Sequence, residues 1–97
     1  ETVRAAAARE AQEEVGVRIE AGDIRFSSVI HRVEGDERVD FFVYVRAWRG
    51  EIVNAEPDKC DDLHWVDFDS IPENTIPYVR RAIKNHLNGI PFDEFGW

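Results

Sequence analysis

The sequence predicts an α+β fold, a mixed or antiparallel sheet with helices on its faces. Three observations carry this prediction. An alanine-rich segment near the start has helix signals at both ends. Two runs rich in β-branched and aromatic residues follow, with a polar, glycine-containing stretch between them. A second helical segment comes late in the chain, with a proline in its first turn. The length of 97 residues suits one small domain, and no linker, repeat or low-complexity segment divides it. At 43 % hydrophobic and 11 % aromatic residues, the composition is globular, not disordered.

Residues 1–15 read as the first helix. Thr2 suits an N-cap, because its hydroxyl can accept from an unpaired amide of the first turn. The four alanines at 5–8 have the best helix propensity of any residue. Gly16 stands where a left-handed residue would end the helix. Residues 24–33 and 38–48 read as strands joined by a turn at 34–37, so an antiparallel hairpin is expected. In the second strand Phe41, Val43, Val45 and Ala47 share one face. Phe42, Tyr44 and Trp48 make the other largely apolar too, which predicts a strand covered on both sides. Residues 51–53 and 63–66 read as short strands, and 67–74 as a turn-rich connector. Residues 76–87 read as the second helix, with Pro77 tolerated at its start and Asn88-Gly89 at its end. The tail at 91–97 is aromatic and is expected to dock on the body.

The formal net charge is −8 and the isoelectric point about 4.8. This disfavours binding to a nucleic-acid backbone, which needs clustered positive charge. A polyphosphate remains compatible if metal cations come between the like charges. No apolar run reaches the roughly 20 residues that span a bilayer, and no signal peptide is visible. The single cysteine, Cys60, excludes an internal disulfide and suits a reducing compartment, so a cytoplasmic location is expected. Methionine is absent, so Glu1 is not a translational start, and a preceding segment is expected.

The chemistry lies on the first helix. Glu10, Glu13 and Glu14 stand at i, i+3 and i+4, on one face. A run of charge on a helix is usually a solvated face. Three carboxylates at this spacing repel one another, however, and the arrangement makes sense if a cation sits among them. Hard oxygen donors suit Mg²⁺ or Mn²⁺, which retain waters and also take phosphate oxygens. Arg9 and Glu1 are eight residues apart and meet only if the chain bends as it enters the helix. Their expected role is to brace the carboxylate face.

This stretch resembles the Nudix box: Gly, five residues, Glu, seven residues, Arg-Glu, an aliphatic residue, any residue, Glu-Glu, any residue, Gly, aliphatic. Glu1, Arg9, Glu10, Glu13, Glu14, Gly16 and Val17 fall on its fixed positions, and Ala11 on an aliphatic one. The opening Gly would precede Glu1. The resemblance implies a Nudix-type α/β/α sandwich with a mixed sheet, of which 1–97 would be the C-terminal part, without the N-terminal strands. It also implies a small, MutT-like hydrolase that cleaves a nucleoside diphosphate linked to another moiety. A nucleoside triphosphate, with oxidised ones included, is the first expectation. ADP-ribose or nucleotide-sugar hydrolysis, a non-hydrolytic nucleotide sensor and an isoprenoid-diphosphate isomerase are the alternatives. Carried over, Glu13 and Glu14 resemble metal ligands, and Glu10 a further ligand or the group that activates water. Arg9 and Glu1 resemble supports of those ligands, and Gly16 the residue that lets the chain leave the helix. The partner implied is a nucleotide-type small molecule, with neither nucleic-acid polymer nor membrane. Dimerisation is common in the family, so a homodimer is among the states the resemblance allows.

Members of this family often place a further acid in a later loop. Glu56 is the candidate for that catalytic role, with Asp58, Asp61 and Asp62 behind it. Lys59 is expected to face water more than phosphate. Cys60 and His64 lack a fourth ligand and a clear zinc spacing, so a buried Cys and a surface His are expected. The acids at Asp67 and Asp69 lack the glycine and terminal Glu of a calcium loop. Trp65, Phe68, Phe92, Phe95 and Trp97 are expected to pack in the body more than to stack on a base. Arg25, Arg32, Arg38 and Arg46 on the hairpin are expected to be solvated.

Overall fold

The structure is a computed structural model that describes residues 1–97. Two helices and a three-stranded sheet make it α+β, as the sequence predicts. Helix α1 (Val3–Val15) is followed by a short 3-10 turn (Ala21–Asp23), strands β1 (Ile24–Glu34) and β2 (Asp36–Val45), helix α2 (Pro77–Leu87) and strand β3 (Phe92–Phe95). The chain forms two compact units. The first holds Glu1–Arg25 and Val43–Trp65, the second Phe26–Phe42 and Val66–Trp97.

In the first unit, the capping signals act as read. The Thr2 hydroxyl accepts the Ala5 amide at 3.1 Å, and Gly16 adopts φ 74° as its own amide donates to the Gln12 carbonyl. A Cβ on Gly16 would also stand 3.2 Å from a methyl of Val53. Residues 51–53 and 63–66 are not strands, contrary to expectation. The backbone of the first stretch is drawn instead to the helix. The Val53 and Ala55 amides each donate at 3.0 Å, to the carbonyls of Val15 and Glu14. These belong to the last turn, whose carbonyls have no partner within the helix.

The second unit is built around β1, the middle strand in the order β2-β1-β3. Ser28, Ile30 and Arg32 alternate along it as buried residues, the period expected of one covered sheet face. The turn is tighter than predicted. Gly35 alone, at φ 78°, separates β1 from β2. No residue of β2 is buried, which corrects the expectation of a strand covered on both faces. The reason lies in the tail. Residues 92–95 do dock, but as a parallel strand along β1, pairing Val29 with Phe92 and Arg32 with Phe95. That places β1 at the centre and leaves β2 at an edge.

Helix α2 begins at Pro77 and ends at Leu87, with Asn88 as its C-cap and Gly89 following at φ 67°. It lies on the sheet through polar and aromatic contacts. Tyr78 packs beneath Arg32 and beside Phe42, and Arg81 and Asn85 both donate to Asp93. Arg32 is buried at 7 % exposure, so the expectation of solvated hairpin arginines fails for it. Asp40 (at 2.7 Å) and Glu34 (at 2.6 Å) compensate its charge.

Candidate active site

Helix α1 presents the acidic residues. Its Cβ atoms at positions 10, 13 and 14 lie over one face, and all three glutamates are exposed. Arg9 organises the array. Its Nε and Nη2 donate to the Glu1 carboxylate at 2.7–3.2 Å, and its Nη1 donates to both Glu13 oxygens at 3.2 Å. Glu10 lies farther off, 3.9 Å from the same guanidinium. Glu1 reaches Arg9 because Thr2 has extended backbone (φ −74°, ψ 163°), which turns Glu1 back along the helix. The Arg9 hydrogen bond holds the Glu1 carboxyl below the usual carboxylate range. The guanidinium is in turn driven further toward its charged form by Glu1 and then Glu13.

At the C-terminal end of α1, Glu14 lines a pocket of about 250 Å³ together with Val15, Glu56, Lys59, Cys60 and Leu63. The fold thus joins Glu14 on the helix to Glu56 on a distant loop. A neighbouring pocket of about 370 Å³, lined by Val15, Ile52, Leu63, His64 and Trp65, shares Val15 and Leu63 with it. Lys59 is exposed, as expected of a solvated lysine, yet its ammonium sits 3.3 Å from a Glu56 oxygen.

The other candidates are dispersed. Asp58, Asp61 and Asp62 do not line the pocket with Glu14. Asp62 instead pairs with the exposed His64 at 3.1 Å. Cys60 is half-buried, and its thiol donates to the Asp62 carbonyl. Among the aromatics, Trp65 stacks on Trp48 with ring centres 6.0 Å apart, and Phe68 meets His86. Phe95 lies under Arg81, and Trp97 against His31.

One residue of this region escaped the sequence reading. Asn54 accepts the Glu56 amide through Oδ1 at 3.2 Å and donates through Nδ2 to the Cys60 carbonyl at 2.7 Å. The available signal was an Asn two residues ahead of Glu56-Pro57, the pattern of an Asx turn.

The donor chemistry fits a hard divalent cation: carboxylate oxygens only, on one open helix face. The fit is to a hydrated ion, not a closed cage, since no three His, Cys, Asp or Glu side chains converge on one point. No helix is long and apolar enough to cross a membrane.

Comparison with known proteins adds two findings. The family model described as NUDIX domain matches residues 1–86. The crystal structure of a MutT NUDIX hydrolase from Burkholderia pseudomallei superposes with a TM-score of 0.78 at 27 % identity. The match covers 88 % of this chain and 67 % of that one. No curated protein matches the sequence.

Proposed function

The chain belongs to the NUDIX family and is a Nudix hydrolase, and from that premise we propose that it hydrolyses a nucleoside triphosphate with the help of Mg²⁺ or Mn²⁺. The observation that carries this reading is the Glu14–Glu56 pocket at the end of the Arg9-braced glutamate face. It sets one carboxylate of that helix face beside a separate loop carboxylate, a pairing that supports the reading.

Glu10, Glu13 and Glu14 are the residues that would hold the cation. When bound, a divalent ion there neutralises phosphate charge and lowers the pKa of water. The remaining work falls to the chain. Arg9 fixes Glu13 by a two-oxygen contact and is itself fixed by Glu1, the kind of support that orients ligands. Gly16 lets the backbone turn away directly after the acidic face. Glu56 accepts the proton of the attacking water on a carboxylate oxygen. The water oxygen bonds to phosphorus, and the bridging oxygen of the anhydride leaves with its electron pair. The Lys59 ammonium stands 3.3 Å from a Glu56 oxygen, a cation beside the carboxylate that takes the proton.

Release of phosphate or pyrophosphate from a panel of substrates tests the reading. Nucleoside triphosphates, ADP-ribose, dinucleoside polyphosphates and nucleotide sugars are each offered with Mg²⁺ or Mn²⁺. Turnover is expected to be fastest with a nucleoside triphosphate. Glu14→Gln is expected to lower it by roughly 10²-fold or more. Near-normal turnover by this variant removes Glu14 from the site.

A further inference from the structure

The loop that carries Glu56 is closed on itself by one side chain. The Asn54 amide spans it, accepting from the Glu56 amide at 3.2 Å and donating to the Cys60 carbonyl at 2.7 Å. Inside this bracket the Lys59 and Cys60 amides both donate to the Glu56 carbonyl, at 2.9 and 3.0 Å. Both peptide groups of Glu56 are therefore hydrogen-bonded, and Pro57 fixes the backbone that follows. On either side of Asn54, the Val53 and Ala55 amides are tied to the Val15 and Glu14 carbonyls. The residue thus sits where the helix end bearing Glu14 and the loop bearing Glu56 are joined. The side-chain amide supplies the acceptor and the donor on two separate atoms, Oδ1 and Nδ2. Asp can accept but, when ionised, cannot donate.

We propose that Asn54 is a positioning residue of the hydrolytic site, which holds Glu56 in the pocket it shares with Glu14. This rests on the assignment of Glu56 as the proton acceptor. Asn54 touches no reacting atom. It acts by limiting where the Glu56 carboxylate can go, and a shift of about 1 Å at such a group can cost about a hundredfold in rate. The loop is also polarised. The Glu56 side chain is 30 % exposed while that of Lys59 is 74 % exposed, so the bracket turns the carboxylate inward and the lysine stem outward.

A double-mutant cycle tests the proposal. Asn54→Ala, Asn54→Asp, Glu56→Gln and the Asn54→Ala/Glu56→Gln pair are assayed with Mg²⁺ on the nucleotide the wild type hydrolyses fastest, and urea unfolding is followed in parallel. Asn54→Ala is expected to lower kcat about tenfold or more while KM changes by less than about twofold. Asn54→Asp, which keeps the acceptor for the Glu56 amide, is expected to regain part of the loss. In the Glu56→Gln background, Asn54→Ala is expected to lower kcat by less than about twofold, because its route of action has gone. Losses that multiply in the pair overturn the proposal, as does a fall in kcat that only tracks the loss of folded protein. Where Asn54→Ala does not fold, Asn54→Asp takes its place in the cycle. A wild type inactive on every nucleotide removes the hydrolase reading, and this proposal with it. An active wild type with multiplying losses removes this proposal alone.

Discussion

Two arginines in this molecule each hold two carboxylates, and they do so to different ends. Arg9 in the first unit binds Glu1 and Glu13, with all three side chains about half exposed. Arg32 in the second unit binds Asp40 and Glu34, with its own side chain only 8 % exposed and Tyr78 3.8 Å beneath its guanidinium. An ion pair in water contributes little to stability, because solvent and salt screen it and holding the side chains costs entropy. A buried charge is costly to leave without its partners. The same residue type, paired in the same way, therefore positions a surface in one unit and holds a fold together in the other.

The sharpest way to break this comparison is to remove each guanidinium in turn. Arg32→Met leaves Asp40, itself only 24 % exposed, without its partner. It is expected to lower Tm by roughly 10 °C or more. Arg9→Met is expected to move Tm by less than about 3 °C while lowering hydrolytic turnover. Thermal melts of both variants, beside an assay of nucleotide hydrolysis, check the pair. Equal shifts in Tm would erase the distinction.

A smaller effect probes how tightly the second unit is closed. Gly89 and Gly96 both have positive φ, 67° and 84°. A Cβ on Gly89 meets nothing within 4 Å, whereas one on Gly96 would lie 2.2 Å from the Val33 carbonyl oxygen. Gly89→Ala is expected to cost only the strain of the left-handed backbone, about 1 kcal/mol. Gly96→Ala adds a backbone collision and is expected to cost about 2–3 kcal/mol. It should also weaken the Trp97 indole hydrogen bond to the His31 carbonyl. Urea unfolding and the exchange rate of the Trp97 indole proton measure the two contributions. Equal costs would mean that the tail is free to shift away from β1.

What the sequence made legible follows from how local each signal is. Helix α1 and its caps could be read because Thr2, the alanines and Gly16 act within one turn of where they stand. Helix α2 could be read from Pro77 and Asn88-Gly89 for the same reason. The spacing of Glu10, Glu13 and Glu14 with Arg9 was legible because a helix turns spacing into a face. Strand β3 was not, since a four-residue strand becomes one only by lying along β1. Residues 51–53 have strand composition, but their amides are claimed by the open carbonyls of α1. The solvated reading of Arg32 failed because Asp40 and Tyr78 reach it only once the hairpin and α2 have assembled. Asn54 is intermediate. The Asx-turn pattern is local, but its bond to Cys60 spans the loop.

The smallest effect expected is in acid, and it applies the same contrast to two carboxylates. Asp93 and Glu1 are both held below the usual carboxylate range, Asp93 by Asn85 and then Arg81, Glu1 by Arg9. Asn85 is 2 % exposed, so the bond it gives Asp93 forms away from water, whereas Arg9 and Glu1 meet in it. A carboxyl with a lowered folded pKa binds fewer protons folded than unfolded. Its contribution is complete above the unfolded value of about 4 and is lost as pH falls through the lower folded value. The wild type is therefore expected to lose stability as pH falls below about 4, through Asp93 among its other carboxylates. Asp93→Asn is expected to start from a lower stability at pH 7 and to show a shallower acid limb. Glu1→Gln should leave that limb nearly unchanged, because its contact is made in solvent. Urea midpoints between pH 2 and pH 7 for the three proteins check this. An acid limb flattened as much by Glu1→Gln as by Asp93→Asn would show that exposure does not separate the two.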